Sequence, residues 1–222
     1  LSLHDALPIF RELAAVNQID NGYVYVQVTR GDGLLRNHGF LSYEEQQPVF
    51  SGFAQSSVRS EEKMIHGADA ITVEDRRSLM CNVKSLNLLP NCLAKHAAQK
   101  KGVSKALMVR DGIVTEEKSG NIFIVKDGVV LTHPDGGKIL PGITKKLILN
   151  ILHTRHIPVW EKEFSEEEML HADEVMVTDT NSEIVPIIKI NDQIIGSGKR
   201  GEITQDIQIA YKALIEETCG KL

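Results

Sequence analysis

The chain's clearest β-branched and aromatic run, Tyr23-Val24-Tyr25-Val26-Gln27-Val28-Thr29, predicts a strand, entered through an Asp20-Asn21-Gly22 turn after a helix end at 11–18. Residues 42–62 are polar and poorly periodic, which predicts an edge strand at 47–53 followed by a linker. Ala70-Ile71-Thr72-Val73-Glu74 reads as the first strand of a second unit. From Pro90 to Lys101 the pattern is helical, with Leu93, Ala94, Ala97 and Ala98 on one face and Gly102 as the stop. Asp111-Gly112 and Asp127-Gly128 lie between apolar runs and predict hairpins over 105–114 and 121–132. A helix opening at Gly142 carries Ile143, Leu147, Ile148, Ile151 and Leu152 on its apolar side, and Pro158 begins a short strand. Ser165-Glu166-Glu167-Glu168 matches a capping box for a short helix to about His171. A buried strand at 174–177, a hairpin at 184–195 turning at Asn191-Asp192, and an amphipathic helix at 201–217 follow. Strands and helices mix without a βαβ rhythm or an internal repeat, so the predicted class is α+β with mostly antiparallel sheet and packed helices.

The 222 residues suffice for one large domain, or one and a part. The pattern divides them into a remnant of a small N-terminal domain with its linker at 11–62 and a larger C-terminal domain at 63–222. Leu1 through Phe10 has no basic leading region and no small-residue cleavage site, which argues against a signal peptide. The stretch resembles translated sequencing-adapter sequence and is set aside as an artefact joined to a truncated frame; a short helix ending at Pro8 is the alternative. A net charge of -5 with scattered Lys and Arg offers no footprint for nucleic acid. No apolar run approaches the roughly 18–20 residues that span a bilayer. Cys81, Cys92 and Cys219 form no metal spacing and leave one unpaired, which fits a reducing, cytoplasmic setting.

Candidate chemistry begins at Lys84, within Met80-Cys81-Asn82-Val83-Lys84-Ser85-Leu86-Asn87-Leu88-Leu89. On residue type alone it is a surface lysine at a strand–helix junction. Burial beside Val83 would favour its neutral, nucleophilic form, with Ser85 and Asn87 as orienting groups. Glu116 closes an apolar run and could face a pyridine nitrogen, ideally without a competing Arg; a solvated strand end is the plain alternative. Gly142-Ile143-Thr144 starts a helix whose free N–H groups favour a phosphate, and Thr180 in a later loop could add a hydroxyl. Arg36 and His38 occupy alternate positions of an extended loop, so both can face one carboxylate. An amine that forms an imine, an acid for a pyridinium and backbone donors for a phosphate are together what pyridoxal phosphate requires.

Cys81 through Leu89, Lys95, Thr115-Glu116, Asn121-Ile122-Phe123, Gly142-Ile143-Thr144 and Thr178 through Ile184 together resemble the class IV (fold type IV) pyridoxal-phosphate aminotransferases. Gln27 through Gly31, Lys84 through Leu89 and Thr132-His133-Pro134 bring the chain nearest to bacterial D-amino-acid aminotransferases. The resemblance spans about residues 11–217. It implies that Lys84 holds pyridoxal 5'-phosphate as an internal aldimine and moves the substrate proton, and that Glu116 pairs with the ring nitrogen. It further implies that Leu140 packs beside the ring, that Ile143, Thr144 and Thr180 bind the phosphate, and that Arg36 and His38 hold the substrate carboxylate.

The implied enzyme is a homodimer that transfers an amino group from a D-amino acid to 2-oxoglutarate. Aminodeoxychorismate lyase, a branched-chain aminotransferase or an inactive fragment are the alternatives. The chain departs from the subgroup at Glu117-Lys118-Ser119-Gly120, where a serine-rich turn is expected, at Asn181 in place of a hydroxyl residue, and in an Arg36 loop one residue longer. Nothing in residues 1–20 matches the family's phosphate-binding arginine or its substrate-side tyrosine.

Overall fold

The computed structural model describes residues 3–31, 39, 40, 42, 44 and 46–220. They form two compact units, Leu1–Arg59 and Ser60–Leu222.

In the first unit, α1 (Leu3–Val16) precedes an antiparallel pair, β1 (Gly22–Thr29) and β2 (Val49–Ser56). Pro8 lies inside α1 and does not end it. Aromatic rings hold the unit together: Phe10 stacks on Phe50 with centroids 6.3 Å apart, and Tyr25 on its cross-strand partner Phe53 at 5.2 Å.

The second unit is built on a nine-stranded mixed sheet. Its strands are β3 (Ala68–Glu74), β4 (Lys105–Arg110), β5 (Ile113–Glu117), β6 (Asn121–Lys126), β7 (Val129–Thr132), β8 (Val159–Glu161), β9 (Glu174–Asp179), β10 (Glu183–Ile190) and β11 (Gln193–Ile194). The spatial order is β5-β4-β3-β10-β9-β6-β7-β8, with β11 paired to β10. Helices α2 (Glu61–His66), α3 (Leu89–Lys100), α4 (Ile143–Thr154), α5 (Glu166–Leu170) and α6 (Glu202–Cys219) surround it. The α+β class holds, but the predicted lack of βαβ rhythm does not. β3 pairs parallel with β4 across α3, and β7 parallel with β8 across α4. The irregular segment 75–88 between β3 and α3 disguises the first of these crossovers.

Alternation along β6 separates two cores. Ile122 and Ile124 join Leu107, Val175, Val177 and Phe164 on one side. Phe123 and Val125 join Met176, Ile148, Leu152 and Ile207 on the other, beneath α4 and α6. Ala94 and Ala98 of α3 pack on Ala106 and Met108, whereas Leu93, expected on the same face, stays 53% exposed. Both predicted Asp-Gly hairpins form. Asp111 and Gly112, and likewise Asp127 and Gly128, all have positive φ, the geometry of the two-residue turn that matches strand twist. The capping box at Ser165 is complete, with each partner's side chain bonded to the other's backbone.

Candidate active site

A buried polar network in the second unit surrounds Glu116. β5 carries it inward, leaving it only 6% exposed. The Leu140 N–H donates to its Oε2 at 2.9 Å, Asn121 Nδ2 donates to the same oxygen at 3.3 Å, and Arg77 Nη1 donates to Oε1. Burial pushes the Glu116 carboxyl up from the ordinary carboxylate range, and the Arg77 charge and the Leu140 N–H oppose that rise.

An acid free of any competing Arg is therefore not what the structure contains. The guanidinium of Arg77 is itself compensated. Its Nε donates to Asp75 Oδ1 at 2.8 Å and its Nη2 to Oδ2 at 2.7 Å, while Glu116 receives only the third nitrogen. Asp75 also accepts the Thr115 hydroxyl at 2.8 Å and lies 3.2 Å from Arg110. Burial would raise the Asp75 carboxyl, but the hydrogen bonds and charge of Arg77 prevail and hold it at about 2. Two acids and two guanidinium groups thus share one buried cluster, and no single pair neutralises Glu116.

Asn121, the first residue of β6, ties this acid to the start of α4. Besides contacting Glu116, its Nδ2 donates to Leu140 O at 2.9 Å. A Cβ on Gly142 would meet Asn121 Oδ1 at 2.2 Å, so glycine is required for the close approach. Beyond Gly142, the first turn of α4 has no side-chain cap and no acidic residue, leaving its N–H dipoles for an anion. Thr144 is buried and hydrogen-bonded to Tyr211 of α6; Ile143 is 72% exposed.

A second close approach brings in the turn after β9. A Cβ on Gly120 would lie 2.4 Å from Thr178 O, which seats the β5–β6 turn against the end of β9. Thr180 follows on the exposed turn, shaped by Asp179 accepting the N–H groups of Asn181 at 2.9 Å and Ser182 at 2.7 Å. In the β5–β6 turn, the Ser119 N–H and hydroxyl both donate to Glu117 Oε2, at 2.8 and 2.9 Å. The acid that departs from a serine-rich turn is therefore folded under it.

Lys84 lies on segment 75–88, fastened to the loop that leads to Leu140. The Cys81 N–H donates to Gly137 O at 3.0 Å and Arg77 Nη2 to Lys138 O at 3.1 Å. The burial expected for Lys84 beside Val83 is absent: Lys84 is exposed and Val83 49% exposed, because this segment turns outward between β3 and α3. Lys84 has no ion pair or hydrogen bond among the described residues. Three lysines close to the cluster or to the 178–182 turn are committed instead. Lys145, only 1% exposed, donates to His133 O, Asp135 and Glu161 at 2.9, 2.6 and 2.9 Å. Lys105 pairs with Asp179 at 3.4 Å and Lys118 with Glu117 at 2.9 Å. An ammonium locked to acids is a poor nucleophile, so these three are unsuited to imine chemistry, whereas Lys84 lies on the segment fastened to the loop that leads to Leu140.

Glu116, Leu140, Ile143, Thr144 and Thr180 are thus linked through Asn121, Gly120 and Gly142. Arg36 and His38 lie outside the described residues. Arg77, Asp75 and the bridging role of Asn121 escaped the sequence reading. An Asp-x-Arg pair closing a strand just ahead of the candidate lysine was the available signal. The described residues hold no cluster suited to a metal ion, and no helix among them is long and apolar enough to cross a membrane.

Comparison with known proteins gives this arrangement a context. The sequence profile described as "Amino-transferase class IV" matches residues 1–190. A D-alanine aminotransferase of Staphylococcus haemolyticus is 41% identical over 215 residues, covering 97% of this chain and 76% of that protein. Among solved structures, the branched-chain amino acid aminotransferase of Escherichia coli superposes with a TM-score of 0.80 at 25% identity, over 96% of this chain and 72% of its own. That of Thermobaculum terrenum in its PLP-form gives 0.79 at 21% identity, over 98% and 72%.

Proposed function

The chain belongs to the class IV aminotransferases, and from that premise we propose that it transfers an amino group from a D-amino acid to 2-oxoglutarate with pyridoxal 5'-phosphate as cofactor. The observation that carries the cofactor reading is the Glu116–Asn121–Gly142 linkage. It fixes a buried acid relative to an uncapped helix start, as the two ends of a pyridine phosphate demand. The residues fit the group: an amine with no partner among the described residues, an acid with an acceptor site to spare, and free helix-start N–H groups. When bound, the cofactor supplies an electron sink for the carbanion left by loss of the substrate Cα proton.

The protein's own residues then have distinct tasks. Lys84 would hold the cofactor through its amine and, as a free amine, would serve as the general base that carries the proton from the substrate Cα. Glu116 keeps the ring nitrogen protonated through its charge. Leu140 packs beside the ring. Ile143 and Thr144 N–H groups, with the Thr180 hydroxyl, hold the phosphate. Arg36 and His38 take the substrate carboxylate, and the face occupied by Lys84 fixes which enantiomer can present its Cα–H. Similarity to D-alanine aminotransferase at 41% identity supports the D-substrate class.

A homodimer is part of the same reading. Leu79, Met80, Leu86, Leu88 and Leu89, all from 79–89, are 64, 67, 56, 47 and 68% exposed, a concentration of apolar surface around Lys84 that a second copy would cover. The free cysteines support a cytoplasmic setting.

Assays of D-alanine with 2-oxoglutarate against L-leucine with the same acceptor test the substrate class. Turnover of D-alanine is expected; preference for L-leucine overturns the assignment.

A further inference from the structure

The buried cluster next to Glu116 does more than neutralise charge. A carboxylate offers about four lone-pair sites. Leu140 and Asn121 use the two on Oε2, and Arg77 uses one on Oε1. The last vacancy therefore lies on Oε1, beside the guanidinium. Arg77 cannot swing away, because its other donors are fixed on Asp75, and Nη2 also reaches Lys138 O at 3.1 Å. Asp75 is fixed in turn by Thr115 at 2.8 Å and by Arg110 at 3.2 Å, and Arg110 also donates to Arg77 O at 2.7 Å.

We propose that Arg77, braced by Asp75, is a positioning residue for the reaction: it holds Glu116 charged and leaves a single Oε1 acceptor site for the cofactor's ring nitrogen. The proposal rests on the assignment of Glu116 to that nitrogen. Arg77 touches neither substrate nor cofactor and acts only through the acid. A lysine could not do the same work, since one ammonium cannot grip both Asp75 oxygens and Glu116 from a planar fork.

Without Arg77, only the Leu140 and Asn121 hydrogen bonds oppose the effect of burial on Glu116. An acid whose carboxyl is raised in the folded state binds more protons folded than unfolded, so stability falls as pH rises from the unfolded carboxylate value through the folded one. Removing Arg77 raises the carboxyl further and widens that window. The titratable groups acting on it are Arg77 and Asp75, and it in turn acts on Cys81.

The test compares Arg77→Gln, Arg77→Lys, Glu116→Gln and the Arg77→Gln/Glu116→Gln pair. Each is assayed for kcat and KM with D-alanine, and each is melted without cofactor between pH 5 and 8. Arg77→Gln and Glu116→Gln are each expected to lower kcat by about ten- to a hundredfold, with KM for D-alanine changing much less. The double variant should be no worse than the lower single one. In the melts, Arg77→Gln should lose stability with rising pH, and adding Glu116→Gln should lessen that slope, the remainder coming from Asp75, which loses the same guanidinium. Arg77→Lys, which keeps the charge but not the planar fork, should show a flatter dependence of melting on pH than Arg77→Gln yet lose kcat, and it decides the matter should Arg77→Gln not fold. Full additivity of the two kcat losses, or an unchanged kcat in Arg77→Lys, overturns the proposal. An unchanged kcat in Glu116→Gln instead overturns the assignment of Glu116 itself, whatever Arg77 does.

Discussion

Glu116 and Lys84 belong to neighbouring parts of one unit but are built in opposite ways. Glu116 is buried, with both oxygens bonded to β6, to the 140–142 loop and to Arg77. Lys84 is exposed on an irregular segment anchored at Arg77 and Cys81 and rich in uncovered apolar side chains. Groups that recognise a ring and a phosphate gain from being fixed in advance by the sheet, since their work is static. An amine that must attach, detach and carry a proton gains from a mobile stem without ionic partners. The contrast between a committed acid and an uncommitted amine is the physical content of the site.

The most severe way to break the contrast is to delete the amine. Lys84→Ala is expected to abolish the visible absorbance band acquired with pyridoxal phosphate and all transamination. Its melting temperature should stay close to the parent's, because no buried apolar area depends on an exposed lysine. A scan from 300 to 500 nm and a thermal melt read both.

Disturbing the fixed side costs stability instead. In Gly142→Ala the new methyl would sit 2.2 Å from Asn121 Oδ1, and Asn121 is pinned by Glu116 and Leu140. A loss of about 1–3 kcal/mol in denaturant titration is expected, typical of overpacking, together with weaker cofactor binding.

Acid sharpens the comparison further. The Asp75 carboxyl falls from 3.8 to about 2 on folding. Its contribution of about 2 kcal/mol is present above the unfolded value and is lost as pH falls from about 4 to about 2. Thermal melts over that range should show the loss, and Asp75→Asn should remove that component of it. The smallest effect on the isolated chain is expected from Leu86→Ser with Leu89→Ser. Stability of the monomer should change by under about 0.5 kcal/mol per site, whereas sedimentation should show weaker self-association.

Much of this was legible in the sequence. Elements whose signals are local appeared as read: the Asp-Gly hairpins, the capping box at Ser165 and the helix after Gly142 depend on residues a few positions apart. The candidate lysine, acid and phosphate loops were legible as motifs. Long-range features were not. The parallel pairing of β3 with β4 is set by tertiary packing across the 75–88 detour. The Arg77–Glu116 pair joins residues 39 apart along the chain. Helix periodicity alone did not show that α3 buries Ala94 and Ala98 while leaving Leu93 outside, because a short amphipathic stretch fixes a face only to within a neighbouring position. Lys84 was expected to be buried because its flanks are apolar, yet those flanks face outward.

One measurement addresses the contrast between the two regions without relying on turnover. Cofactor-loaded protein is reduced with borohydride, digested, and its peptides are weighed to find the residue that retains the pyridoxyl group. The account predicts the added mass on the peptide containing Lys84 and nowhere else. Modification of Lys145, the buried lysine held by three oxygens, or of any other lysine in its place, would contradict it.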